Sequence, residues 1–253
     1  MNFVDSDWTF LNQRLAEHYG YLDRRLAARY GLPKVEGHEH FQKVPIPSDL
    51  LRGGVLSQAS VMKVTANGTT TSPVIRGVWV ADKLLGRPAP PPPPGVPAVE
   101  PDIRGATTVR LQLEQHRNNP YCASCHKRID PAGLALEEFD AIGGRRMRYR
   151  VIVEGKKGKN VAYLSGPRVI SAYDLPDGRK FSNFDGFRKC LLDDDVFVKR
   201  VIAEKLLNYA TGRRIGLAQR DTVNQIVAES AQQDYGLKSM IHAVVASDLF
   251  VAP

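Results

Sequence analysis

The chain has 253 residues, of which 43% are hydrophobic and 25% charged, the proportions of an ordinary globular protein. No apolar run approaches the roughly 18 residues of a membrane-spanning helix, so we expect no transmembrane segment. The formal net charge is +8, with basic residues densest in 145–150 and 156–159. Because no nucleic-acid-binding motif accompanies these charges, we interpret them as a solvated basic face and expect no nucleic-acid partner.

The N-terminal region predicts helices without a signal peptide. Residues 1–7 have neither a basic start nor an apolar core of the kind that directs export. The stretch 7–19 places four apolar side chains at helical spacing and is followed by Gly20, so it predicts an amphipathic helix. A second short helix is predicted over 22–30.

Glycine and proline divide the next hundred residues. The pair Gly53-Gly54 opens a new unit with a short helix, and 74–85 predicts a longer one. The proline-rich stretch 88–97 must be extended, because proline fixes φ and lacks an amide hydrogen. We interpret it as a stiff surface strap, with a ligand for a proline-binding domain as the alternative. Residues 107–117 again show a helical period, which predicts another helix.

Residues 122–126 read Cys-Ala-Ser-Cys-His, the CxxCH spacing at which a c-type haem is attached. Two thiols three residues apart on one turn or helix start can both reach the vinyl groups of one porphyrin. Cys122 and Cys125 would form the two thioether bonds, and His126 would be an axial ligand of the iron. Because CxxC also occurs in zinc and redox sites, the motif alone leaves those alternatives open.

The third cysteine lies outside this motif. Cys190 falls in an apolar helical pattern and is expected to be buried, so the cysteines do not form a disulfide framework. Because c-type haem is attached after export, the missing signal peptide conflicts with the haem hypothesis. We therefore interpret the chain as a downstream piece of an exported protein, with a periplasmic or otherwise extracytoplasmic location.

After the motif, the chain predicts a turn, a hairpin and a helical end. We expect the Asp130-Pro131 pair to end the haem helix, and the apolar side chains of 134–142 to wall a pocket. The stretches 145–153 and 161–170 predict a small β hairpin. The C-terminal region then predicts helices from Phe184 to Gly212, interrupted at Asp193–Asp195, followed by helices over 222–232 and 237–245.

Several stretches together resemble the C-terminal part of the large planctomycete-type c-type cytochromes. Trp8 to Tyr19 is similar to the end of the domain of unknown function 1592. The region from Gly53 to Arg150 looks like the domain numbered 1588, on the proline strap and on HRNNPYCASCHKRIDPAGLALEEFDAIGGRRMRY. The region from Phe184 to Phe250 resembles the domain numbered 1585, on FDGFRK, EKLLNYATGRRI and MIHAVVASDLF.

This resemblance implies a mainly α protein with a cytochrome-c-like haem domain, a minor β hairpin and a helical C-terminal domain. We divide the chain into the end of a preceding helical domain (1–49), the haem-attachment domain (50–150), a connector with the hairpin (151–183) and a helical domain (184–253). It also implies one covalent haem c and a redox partner, either another haem protein or an upstream catalytic domain.

The sixth iron ligand decides what the haem would do. Met62, Met147 and Met240 are candidates, and so is His116, because the family's motif likewise has a His-Arg pair before the CxxCH. His116 alternatively hydrogen-bonds a propionate or backbone group, with Arg117 pairing a propionate.

Three functions follow from these features. The first is an electron-transfer haem module of an exported oxidoreductase system, which we favour over a catalyst. The second is a haem enzyme with an open iron position, of peroxidase or oxygenase type. The third is a haemless scaffold in which the CxxCH side chains hold zinc, although a fourth ligand at normal spacing is not evident.

Overall fold

The computed structural model describes residues 2–21, 28, 31–47, 50–68, 70–91, 108–117, 120–153, 162–193 and 195–251. Within these ranges the fold is mainly α, as predicted, with short antiparallel strand pairs. The α-helices are α1 Gln13–His18, α2 Ala59–Val64, α3 Pro73–Lys83, α4 Val109–His116, α5 Pro120–Ala135, α6 Phe184–Leu192, α7 Asp195–Thr211, α8 Arg220–Ala231, α9 Leu237–Ala246 and α10 Asp248–Val251. Single 3₁₀ turns lie at Val55–Ser57, Leu136–Glu138 and Leu217–Gln219.

The strands form two-stranded antiparallel ribbons. They are β1 Trp8–Leu11 with β2 Gln42–Pro45, β3 Ala66–Asn67 with β4 Thr70–Thr71, β5 Arg148–Val153 with β6 Ala162–Arg168, and β7 Tyr173–Asp174 with β8 Lys180–Phe181. The β5–β6 pair confirms the predicted hairpin, although the residues that connect its strands, 154–161, lie outside the described residues.

The predicted helix over 7–19 is wrong in its first half. Trp8–Leu11 is a strand that pairs with Gln42–Pro45, a distant partner that helical periodicity does not reveal. The helix begins only after Asn12, whose side chain accepts a hydrogen bond from the amide of Leu15 at 3.0 Å. It ends before Gly20 as predicted, because Gly20 adopts a φ of +68° that other residues avoid. The second predicted helix, over 22–30, lies almost entirely outside the described residues.

The prediction that Asp130-Pro131 ends the haem helix is also wrong. Helix α5 runs through Pro131 to Ala135. Proline removes one helical hydrogen bond and disfavours helix in the residue before it, so local sterics predict a stop. Tertiary packing overrides that preference, since every residue from 129 to 139 is buried.

The main hydrophobic core surrounds this buried stretch. Its members come from the N-terminal segment, α2, α3, α5, α6 and the start of α7, and Phe139 meets Phe184 edge-on at 4.8 Å between ring centroids. Leu134, Leu136 and Phe139 are core residues instead of pocket walls, whereas Ile142 is exposed. The segment from 134 to 139 is therefore buried in the core, and the chain reaches the surface at Ile142.

Helices α7, α8 and α9 share a second core. Its buried members are Ala203, Leu207, Ile215, Val223, Ile226, Val227, Met240, Ala243 and Val244. These helices confirm the C-terminal helical pattern, and α6 ends at Leu192, next to the predicted interruption. A third, small core joins β1, α1 and β2. The domain boundaries drawn from the sequence stay predictions.

No helix in the described ranges is both long enough and apolar enough to cross a membrane.

Candidate haem-attachment site

Helix α5 is buried in its C-terminal part and partly exposed in its N-terminal part. Its C-terminal half is enclosed, whereas the N-terminal half carries Cys122 and Cys125 in partly accessible positions. Both thiols are free, and so is the buried Cys190, which confirms the prediction for that residue. Because Cys122, Cys125 and His126 are spaced i, i+3 and i+4 on one helix, they share a face within a little more than one turn.

A close crossing with α3 holds α5 in place. At Gly77 of α3, a side-chain carbon would collide with the backbone carbonyl of Ile129. At Gly133 of α5, it would collide with the carbonyl of Pro73 at the start of α3. The two glycines therefore allow the helix backbones to touch, which fixes the position and rotation of α5.

A buried arginine secures the C-terminal end of the same helix. Arg76 is completely buried and donates to the carbonyls of Leu136, Phe139 and Asp140 at 2.7–2.8 Å. The carbonyls of Leu136 and Asp140 also accept from the backbone amides of Phe139 at 3.0 Å and Gly143 at 3.2 Å, whereas Arg76 is the donor to the buried carbonyl of Phe139. Arg76 thus ties the backbone that follows α5 to α3.

The charge of Arg76 is balanced by Glu137. Its Nη1 lies 3.2 Å from Oε1 of Glu137, and both side chains have no exposed surface. The other oxygen, Oε2, accepts from Thr71 and from Arg146, each at 2.8 Å. Burial lowers the pKa of Arg76, and Glu137 opposes that shift.

Glu138 links the end of α5 to α6. Its Oε1 accepts from the hydroxyl of Ser171 at 2.6 Å and from the amide of Phe184 at 2.9 Å. Phe184 is the first residue of α6, so Glu138 satisfies an amide that helix geometry leaves unpaired. The helix that carries the CxxCH is therefore anchored by two adjacent buried carboxylates.

His126 is held by a carboxylate one turn further along. Its Nδ1 lies 2.8 Å from Oδ1 of Asp130, and both residues are buried, with exposures of 8% and 0%. The second carboxylate oxygen of Asp130 is buried without a hydrogen bond and lies 3.6 Å from Nη1 of Arg117. The structure thus brings together two predicted site residues, His126 and Arg117, through Asp130.

Arg117 lies just beyond the end of α4 and also contacts an aromatic ring. Its guanidinium carbon is 5.6 Å from the ring centre of Tyr173, and that of Arg110 is 5.2 Å from the same ring. The sequence-based alternative for Arg117 was a propionate partner. The structure shows an acidic neighbour of this guanidinium within the chain, Asp130, and the propionate contact stays a prediction.

The candidate sixth ligands are scattered. Met62 belongs to the main core and Met240 to the C-terminal core, whereas Met147 is 54% exposed. His116 is the last residue of α4, and its side chain lies outside the described residues. Its proposed ligation therefore stays a prediction.

Asp130 is the site residue that sequence reasoning missed. Its position four residues after His126 would have indicated a contact, had the helix been extended through Pro131. The predicted stop at Asp130-Pro131 instead assigned this carboxylate to a turn. One local error therefore hid the partner of the axial-ligand candidate.

Within the described ranges, no group of three or more His, Cys, Asp or Glu side chains could hold a metal ion. A haem-c site does not require such a group, because the thiols bond to porphyrin carbons and the iron takes a single imidazole from the motif.

Comparison with known families divides the chain into two matched regions. Residues 52–149 match a family model described as a protein of unknown function, DUF1588. Residues 177–250 match a second one, likewise described as a protein of unknown function, DUF1585. Both of these domains were identified from the sequence, with nearly the same limits.

The first region contains the CxxCH, Arg117, Asp130 and the Arg76–Glu137 pair. Most of the β5–β6 hairpin lies between the two regions. No curated protein and no solved structure matches the chain. The similarity of Trp8–Tyr19 to the domain numbered 1592 stays a prediction.

Proposed function

We propose that the chain carries one covalent c-type haem on Cys122 and Cys125, with His126 as an axial ligand, and serves as an electron-transfer module of an exported oxidoreductase system. The observation that carries this proposal is the pairing of two free, half-exposed thiols with an adjacent imidazole that a buried carboxylate orients. The resemblance to planctomycete-type cytochromes, which share the two matched domains, supports it.

The residues fit such a group in three respects. Cys122 and Cys125 lie on one face of α5 and do not bond to each other. Nδ1 of His126 is engaged by Asp130, so iron coordination would use Nε2. Metal-binding histidines commonly have their second ring nitrogen hydrogen-bonded in this way, which fixes the tautomer and the ring plane.

The protein's own contribution is a rigid attachment. When bound, the haem supplies a one-electron iron couple. The crossing with α3 and the Arg76–Glu137 pair hold α5 at its buried half, so the imidazole keeps its position in both oxidation states. A fixed ligand geometry suits electron transfer, because little rearrangement accompanies each step.

The test is to export the full chain from a host that attaches c-type haem, and to record a pyridine haemochrome spectrum with an intact mass. We expect one covalent haem with the absorption of two thioether bonds. Cys122→Ala and Cys125→Ala should each give the band of a single thioether or lose the haem, while Cys190→Ala should match the wild type.

A protein that leaves this host without covalent haem would contradict the proposal, and zinc found by metal analysis would favour the scaffold. For a haem-bearing protein, carbon monoxide distinguishes the carrier from the open-site enzyme. A ferrous spectrum unchanged by carbon monoxide supports electron transfer, whereas rapid binding together with peroxide reactivity would support a catalyst.

A further inference from the structure

We infer that Asp130 is the positioning residue of His126, fixing its Nδ1–H tautomer and increasing its donor strength, and that Arg117 moderates this effect. The consequence for the haem rests on the proposed function. The contact itself exists in the polypeptide and is tested separately below.

The geometry defines which nitrogen carries the hydrogen. Oδ1 of Asp130 lies 2.8 Å from Nδ1 of His126, a normal hydrogen-bond distance. An ionised carboxylate accepts and cannot donate, so His126 must donate from Nδ1. The helical spacing of four residues stacks the two side chains on one face, and the packing of 129–139 prevents Asp130 from turning towards solvent.

The environment strengthens this contact. Asp130 has no exposed surface, and its Oδ2 lacks a hydrogen bond. A carboxylate that is removed from water interacts more strongly with a neighbouring N–H than one at the surface. The imidazole of His126 therefore shares its Nδ1 hydrogen with a concentrated negative charge, which pushes electron density towards Nε2.

Arg117 weakens the effect of Asp130 on the imidazole of His126. Its Nη1 lies 3.6 Å from the same Oδ2, within ion-pair range but beyond a hydrogen bond. The guanidinium reduces the negative potential of Asp130 without satisfying the oxygen. Removing Arg117 should therefore strengthen the effect of Asp130 on His126, whereas neutralising Asp130 should abolish it.

If His126 coordinates the haem iron, the charges of Asp130 and Arg117 influence the ratio of ferric to ferrous iron. A stronger imidazole donor and a nearby negative charge both favour the ferric form, so they lower the midpoint potential. A purely structural role for Asp130 would change stability but give no opposed shifts in potential. The two effects can thus be separated by measurement.

The first test compares midpoint potentials of the exported, haem-bearing full chain by spectroelectrochemistry. In Asp130→Asn, which keeps the side-chain size, the ferric-to-ferrous ratio at a fixed potential should fall at least about tenfold, a rise of about 59 mV for one electron. Arg117→Gln should shift the potential downwards. Asp221→Asn, at an exposed position of α8, is the matched control and should leave it unchanged.

An unchanged potential in Asp130→Asn, or shifts of the same sign in both variants, would overturn the inference. If the Asp130→Asn protein does not accumulate, the Arg117→Gln protein still tests the inference, because its midpoint potential should shift downwards.

The second test uses the haem-free full chain made without export. Nitrogen chemical shifts of His126, recorded at about pH 8, should show the Nδ1–H tautomer, and Asp130→Ala should convert it to the Nε2–H form. An Nε2–H tautomer in the wild type would overturn the inference whether or not haem is attached elsewhere. A wild type with the Nδ1–H tautomer that never acquires haem would refute the proposed function and leave the positioning contact intact.

Discussion

At the scale of single residues, buried charges organise the region around α5. Arg76 and Glu137 have no exposed surface, and Arg76 also serves the carbonyls at the end of the helix. Such a pair adds little net stability compared with apolar residues, but each partner depends on the other. The role of the Arg76–Glu137 pair is to fix the end of α5 and the rotation of this helix about its axis.

Replacing Arg76 by methionine should destabilise the protein by about 3–5 kcal/mol, because Oε1 of the buried Glu137 and the buried carbonyl of Phe139 lose the guanidinium that donates to them. Urea unfolding followed by circular dichroism measures the change. The control is Lys180→Met, which removes the exposed ion pair with Asp174 and should cost at most about 1 kcal/mol. Equal effects of the two variants would contradict the role given to Arg76.

Tyr149 gives this region a dependence on alkaline pH. Burial raises the pKa of Tyr149, Glu137 adds to the increase and Arg146 opposes it. The folded state therefore holds the phenol proton more tightly than the unfolded chain does. The associated stability is complete below about pH 10, the ordinary value of tyrosine, and is lost as the pH rises further.

We expect the free energy of unfolding to fall more steeply above about pH 10 in the wild type than in Tyr149→Phe. Urea unfolding across the alkaline range measures both slopes, and lysine titration, common to both proteins, cancels in their difference. Parallel curves would show that the phenol of Tyr149 does not titrate with folding.

At the scale of elements, the crossing of α3 and α5 is the contact on which the candidate site depends. Gly77 and Gly133 each meet the backbone of the other helix. Ser72 caps α3 by accepting from the amide of Ile75, and Pro73 follows at the first helical position. The close crossing therefore depends on where α3 starts and on the two glycines, which have no side chain to separate the helices.

Gly77→Ala should force the helices apart and destabilise the protein by about 1–3 kcal/mol, despite the gain of about 1 kcal/mol in helix propensity. Thermal unfolding measures this change, and the yield of covalent haem reports on the CxxCH. The control is Gly186→Ala in α6, where the nearest neighbour of the new carbon is 3.2 Å away. A more stable Gly77→Ala protein would refute the close crossing.

At the scale of the whole molecule, the N-terminal segment belongs to the main core. Val4 is completely buried among its members, and the amide of Val55 donates to the carbonyl of Phe3 at 2.8 Å. Asp5 pairs with Arg188 of α6 at 2.7 Å. Residues assigned from sequence to the end of a preceding domain thus contact both the first and the second matched region.

Val4→Ala should therefore destabilise the main core by roughly 1–3 kcal/mol. Hydrogen exchange should show faster opening of α5 and α6, with α8 and α9 less affected because they share a separate core. Val64→Ala, at a position 70% exposed in α2, is the control with the same chemical change. An effect confined to residues before 50 would instead support an independent N-terminal unit.

The mainly α class and most of the helices can be predicted from the amino-acid sequence alone, and so can the spacing of Cys122, Cys125 and His126. These features depend on local periodicity and on the covalent order of residues, which any reader of the sequence can see. The hairpin of β5 and β6 was also predictable, since its strands are neighbours along the chain.

The features that depend on distant partners are visible only in the folded protein. Trp8–Leu11 became a strand because β2 is available to pair with it, and α5 continued through Pro131 because α3 and the surrounding core enclose it. The Asp130–His126 contact requires that continuation, since local sterics disfavour helix before proline. Local preferences here amount to a few kcal/mol at most, and burial of an entire helix outweighs them.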